Sequence, residues 1–291
     1  MANLFSFPTF SQMYSGERRF LKRLREFLRY QLRKNLHKKQ CNDIVDFLNT
    51  HPIWQALFRE NAYRLNSLLN VFCDKRFSAQ QRLEAIQQNL LLAEQYFGVD
   101  FCQKLLTQKS MLISQLTEDL GLYLNINDID PLEGFFSLNI KNPQKQERIY
   151  DASFSFLAPN KLLIASIQGP NHNNAQDTVR SVTKQLHGTR PMFMLVVGFK
   201  TLAQQFGSQL VGIPHKAQAK YRFSDSARLL FNYNSFWQEN NAELRDQYWE
   251  ISSIIEQKPL EEIASKKRAM YRKRYEMFDK LQQDIKACFA R

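Results

Sequence analysis

The hydrophobic period of this chain first changes between Leu106 and Ser110, and that change divides what the sequence can fold into. Upstream, apolar residues recur at helical spacing. Residues 18–39 carry Leu21, Leu24, Leu28, Leu32 and Leu36 at intervals of three or four, with Phe20 and Phe27 widening the stripe and arginines filling the rest. One long amphipathic helix is predicted there, followed by shorter pieces over 42–48 and 53–58 and fuller helices over 62–72 and 79–97. Ser78 stands where an N-cap belongs, and Gly98 stands where a helix closes. Downstream the period falls to two. The runs 111–116, 120–126, 134–141, 148–157 and 162–168 are short, apolar or alternating, and parted by the turn-rich NDIDP, KNPQKQ and APNK. An antiparallel meander follows, then helices over 175–186 and 191–206, a strand over 209–214, and helices from about 233 and over 261–290. The expected fold is α+β: a basic helical region, 1–108, then a mainly antiparallel sheet flanked by helices, 109–291.

With 291 residues, 44% of them hydrophobic, the chain can bury its own core. Its longest apolar runs fall well short of the ~20 residues a bilayer crossing needs. The first twenty residues lack the basic and apolar segments of a secretory signal, so a cytoplasmic place is expected. Cys41, Cys73, Cys102 and Cys288 are scattered, without CxxC pairs or histidines at ligand spacing, and read as reduced thiols with no metal expected.

The net charge of +12 is unevenly placed. Residues 17–39 hold ten Lys or Arg against Glu17 and Glu26. Lys266, Lys267, Arg268, Arg272, Lys273 and Arg274 fall within nine residues uninterrupted by an acid. Outside these two stretches the chain is close to neutral. For the first, packing on the helical bundle with a solvated basic surface is the leading expectation; lying on anionic lipid and binding nucleic acid are the others. In the second, Met270, Tyr271, Tyr275, Phe278 and Leu281 define a buried face. That leaves Lys266, Lys267, Arg268, Arg272 and Lys273 as anion-binding candidates.

Three further groups can carry chemistry. The loop QGPNHNNAQDT leaves a strand and enters a helix, so amides around Gln168, Gly169, Asn171, Asn173 and Asn174 form a candidate anion cradle, though Asp177 opposes the charge and no GxGxxG or Walker spacing is present. In KQLHGTRP, Gly188 ends one helix and Pro191 starts the next. This puts His187 on a tight corner with Lys184 and Arg190 as further anion ligands, the ring either moving a proton or simply capping a helix. His172 and His215 each follow a predicted strand, with no serine or cysteine nucleophile spaced to pair with them. The aromatic set Tyr221, Phe223, Phe231, Tyr233, Phe236, Trp237, Tyr248 and Trp249 suits core packing better than base stacking.

The stretches SIQGP (166–170), KQLHGTRP (184–191), VGIPHK (211–216), YNSFWQE (233–239) and IASKKRAMYRKRY (263–275), in this order, resemble the VirK/YbjX family of Gram-negative bacterial proteins. The resemblance covers about 134–285. The helical part matches more loosely: a His-Tyr pair usual in its last helix is replaced by Gln88-Asn89-Leu90. The resemblance implies an intracellular protein connected with virulence, envelope stress and tolerance of antimicrobial peptides or bacteriocins. The two basic stretches, for their part, lead to the expectation of an anionic partner, with anionic lipid or an acidic small molecule ahead of nucleic acid and a peripheral place at the inner membrane compatible with it. The resemblance carries over no catalytic residue. The element order is also similar to that of acyl-CoA-dependent N-acyltransferases (GNAT-like). That likeness implies acyl-CoA on the Gln168–Asn174 amides, a proton moved by His187 or His215, and an acidic acceptor on Lys266–Arg268. The family's Gln/Arg-x-x-Gly-x-Gly/Ala motif is missing, and fold likeness alone does not define chemistry.

Overall fold

The computed structural model describes residues 4–16, 19–144, 147–171, 174–221 and 231–290. Its amino-terminal part is helical: α1 (Phe10–Met13), α2 (Phe20–Leu36), α3 (Lys38–Thr50), α4 (Gln55–Glu60), α5 (Asn66–Leu69), α6 (Ala79–Phe97) and α7 (Val99–Gln108). Ser78 caps α6 reciprocally with Gln81, and Gly98 takes the positive φ that ends it. The long helix expected over 18–39 instead breaks at His37, whose non-helical backbone separates α2 from α3. The stretch 62–72 is a 3-10 turn running into the short α5, not a full helix.

The sheet follows with β1 (Ser110–Gln115), β2 (Gly121–Ile126), β3 (Phe136–Asn142), β4 (Glu147–Leu157), β5 (Lys161–Gln168) and β6 (Gln209–Gly212), then a short hairpin of β7 (Glu243–Arg245) and β8 (Tyr248–Glu250). Strand order is β1-β2-β3-β4-β5-β6-β8-β7. Every pairing is antiparallel except β5 with β6, which the crossover through α8 (Ala175–Gln185) and α9 (Pro191–Phe206) makes parallel. Two last helices, α10 (Tyr233–Glu239) and α11 (Ser265–Cys288), complete the chain.

Alternation in the strands gives the sheet two unlike faces. One is apolar and takes α9: Gly198 lies close against Leu122 and Leu138, where a Cβ would stand 3.0 Å from a Leu122 methyl, and Phe199 meets Phe154 edge-on. The aromatic rings of Phe97, Phe156, Phe206 and Phe289 interlock at its end, tying α6, β4, α9 and the residue after α11 into one core. The other face is polar and nonetheless buried. Asn125, Ser137, Ser153 and Ser166 stand in one row across β2 to β5, and Tyr123, Asn139, Asp151 and Gln168 in the next. Burial arises because the β2–β3 connection folds back over it. The Asn127 amide donates to the Ser153 hydroxyl and the Gly134 carbonyl, and Arg148 forms a two-pronged bridge to Asp128.

Candidate functional site

α2 departs most from expectation. Its one buried residue is Tyr30, whose hydroxyl donates to the Pro8 carbonyl at 2.7 Å, while Phe27 sits edge-on against Phe10 and the Lys34 ammonium lies over the Phe7 ring. These contacts bolt one side of the helix to the amino-terminal segment. The leucine stripe points elsewhere: Leu21, Leu28, Leu32 and Leu36 are 79, 60, 69 and 72% exposed, and Leu24 and Phe20 join them. The expected packing of this stripe on the bundle is therefore wrong, because Tyr30 and Phe27, not the leucines, supply the docking side. Arg25 and Arg29 share Glu26, an exposed pairing worth little.

The second basic stretch opens α11, where the helix dipole already places positive charge. Two of its guanidiniums are used by backbone oxygens. Arg268 donates to the Ile263 and Glu261 carbonyls, and Arg274 donates through Nε and a terminal nitrogen to the His187 carbonyl at 3.0 and 2.8 Å. Lys266, Lys267, Arg272 and Lys273 are exposed, with no carboxylate at ion-pair distance among the described residues. Arg274 thus fastens the KQLHGTRP corner to α11. His187 and Gly188 both take positive φ there, and a Cβ on Gly188 would come within 2.7 Å of the Arg274 guanidinium. Gly188→Ala is expected to lose about 1–2 kcal/mol in urea melts through left-handed strain and displacement of that group. Burial, then Lys273 and Arg274, lower the His187 pKa, so its ring is neutral at pH 7.

A third cluster surrounds Glu133, which is fully buried. The Ser166 hydroxyl (2.9 Å) and Gln168 Nε2 (2.8 Å) donate to one carboxylate oxygen, Gln218 Nε2 (3.0 Å) to the other, and the Lys220 ammonium stands 3.8 Å away. Burial raises its pKa, with Lys220 and the donors holding the rise back. β5 and β6 pair only as far as Ile164 with Gly212 and then part. Into the parting comes Tyr233, whose hydroxyl accepts from the Ile167 amide at 3.1 Å. The His215 ring packs against Tyr221 and Tyr233, its backbone amide donating to Asn234 Oδ1 and its buried Nδ1 having no hydrogen-bond partner among the described residues.

The residues singled out from the sequence are thus dispersed. Gln168 and His215 join the Glu133–Tyr233 cluster, while His187 and Lys273 meet at the α11 corner, with Lys184 one turn before it on α8. Arg190 is held by Glu239 at 2.7 Å and lies over Phe193. Gly169 lies under the Tyr150 ring, Asn171 is exposed, and Asn174 begins α8 without a side-chain cap. Asn173, His172 and Phe223 lie outside the described residues. Tyr221, Tyr233, Phe236, Trp237, Tyr248 and Trp249 are all buried, in keeping with the core reading. Glu133, Asp151 and Gln218 went unread in the sequence; the alternation of polar residues in β3 and β4 pointed to Asp151, and no local pattern pointed to Glu133 or Gln218.

No helix among the described residues is long and apolar enough to cross a membrane. The family model described as "Protein of unknown function (DUF535)" matches residues 19–287, and the chain belongs to that family. The kinship with the VirK/YbjX proteins drawn from its motifs is upheld. An uncharacterized protein of Haemophilus influenzae is 60% identical over 285 residues, spanning 97% of this chain and 98% of its own length. "Membrane protein LapB" of Mannheimia haemolytica is 33% identical over 221 residues, 76% of this chain and 96% of that protein. The uncharacterized protein YbjX of Escherichia coli is 27% identical over 133 residues, 44% of this chain and 40% of that one. No solved structure matches the chain.

Proposed function

We infer that the protein works peripherally at an anionic membrane of the Gram-negative envelope, where α11 meets lipid phosphates, and that this is how it serves envelope stress and resistance to antimicrobial peptides. One observation carries the reading: Lys266, Lys267, Arg272 and Lys273 stand exposed at the positive end of a helix with no carboxylate at ion-pair distance among the described residues. Such an arrangement is locally unfavourable and is relieved by an external anion. A relative carrying the name "membrane protein" supports the same direction. Cationic docking, with no spanning helix among the described residues, fits attachment to the surface of the bilayer, each cation near the headgroups adding about 1 kcal/mol.

The acyl-transfer alternative receives less support. The Tyr233 hydroxyl takes up the parting of β5 and β6, Tyr150 covers Gly169, and the Gln168 side chain is turned inward to Glu133. A depression of about 400 Å³ does lie beside the loop, between Tyr150, Pro170, Val179 and Arg180, but with Gln168 turned inward and Gly169 covered the loop offers it little to hold a pyrophosphate, and this favours a docking role over a cofactor cleft. An acetyl-CoA or aminoacyl donor that raises the melting temperature would reverse that preference.

The full chain should co-sediment with phosphatidylglycerol-containing vesicles and not with phosphatidylcholine alone, its affinity falling as salt rises. Changing Lys266, Lys267, Arg272 and Lys273 together to alanine should weaken binding at least about tenfold and flatten the salt dependence. Salt-insensitive binding, or equal binding by the variant, refutes the role of α11. Tighter binding to RNA or DNA than to vesicles assigns the cations to nucleic acid instead.

A further inference from the structure

We propose that α2 is a membrane-seated helix: it lies in the plane of an anionic bilayer with Leu21, Leu24, Leu28, Leu32 and Leu36 among the acyl chains, while Tyr30 and Phe27 keep it bolted to the body of the protein. This rests on the reading of the protein as one that works at an anionic membrane, and it names the element that enters the lipid.

At 3.6 residues per turn the five leucines fall within about 120° of arc. That arc is distinct from the side carrying Tyr30 and Phe27, so docking and display do not compete. Most of it is bare to solvent. Leaving five leucines on one exposed helix face is costly in water, and such an apolar strip, interrupted only by Asn35 and Arg25, marks a surface with a partner. Charge decides which partner. Arg29, Lys22 and Arg33 border the strip along one long edge, Arg25 rises within that side of it, and the helix carries six cations against one acid, Glu26. A second copy of this chain would bring the same positive border against its twin. An anionic bilayer accepts both parts at once: leucines enter the acyl boundary, and the long arginine side chains reach back to the phosphates.

The test uses the full chain and vesicles of phosphatidylethanolamine and phosphatidylglycerol in equal parts. Leu28→Ser with Leu32→Ser should weaken vesicle binding at least about tenfold. Because these positions are exposed, circular dichroism and the melting temperature should stay as in the wild type. Leu28→Trp supplies an independent gain of signal: relative to the wild type, whose Trp54, Trp237 and Trp249 are buried, its added emission should shift to the blue on vesicles and be quenched by lipids brominated in the acyl chain. If the wild type binds while the double-serine variant binds equally and the added indole of Leu28→Trp shows neither shift nor quenching, the α2 proposal fails alone. If the wild type ignores these vesicles, the membrane reading falls with it. A wild-type dimer that the serine variant dissolves, without vesicle binding by either, assigns the strip to self-association and overturns the proposal.

Discussion

Glu133→Ala should lower the unfolding free energy by about 3–5 kcal/mol, the largest loss expected from one polar substitution in this fold. Three donors converge on that carboxylate from two segments: Ser166 and Gln168 on β5, and Gln218 after β6. Alanine would leave them facing a void without their acceptor. The Lys220 ammonium, which also pairs with Asp130 at 3.3 Å, would lose part of its counter-charge. Glu133→Gln should cost less, since one acceptor oxygen survives and one donor is turned against another. Urea denaturation followed by tryptophan emission reads both. A loss under about 1 kcal/mol for the alanine variant would mean that the cluster is not what closes the parted ends of β5 and β6.

A second large effect concerns pH. Asp151 is buried in the polar row, accepts from the Asn139 amide, and stands 3.7 Å from Arg148. Burial raises its pKa from 3.8 to about 6, the nearby Arg148 notwithstanding. The folded chain therefore holds a proton that the unfolded chain releases between those two values, and stability must fall as pH rises through that window. The contribution is fully present below about pH 4 and gone above about pH 6. Its size is about 2–3 kcal/mol. Asp151→Asn keeps the shape and an acceptor oxygen for Asn139, and it should flatten this part of the curve, making the variant more stable than the wild type at pH 7. An unchanged pH profile in the variant would place the titration elsewhere, Glu133 being the other buried acid whose pKa is raised.

The sequence disclosed the order of elements well because backbone signals are local. Strand starts fall within two residues of the expected runs, Pro191 begins α9, and Ser78 and Gly98 bracket α6 as capping chemistry requires. The β7–β8 hairpin was missed: three-residue strands around Asp246 carry too little alternation to register. The break at His37 escaped because leucine spacing continues smoothly to Leu36. More consequential was the partner of each apolar stripe. Spacing shows that Leu21 to Leu36 form a face, but whether that face is covered depends on where Tyr30 and Phe10 meet. The same limit hid the Glu133 cluster. Alternation in FSLNIK and YDASFSF showed a polar face, which by default looks outward; only the fold-back of residues 127–134 turns it inward and makes its carboxylates costly.

Amide hydrogen exchange of the full chain, with and without phosphatidylglycerol-containing vesicles, tests the membrane-docked protein most directly. Slowed exchange confined to the exposed leucine turns of α2 and the first turns of α11 is the predicted result. Protection centred on residues 168–171 and 215–221, with α2 and α11 unchanged, would contradict it.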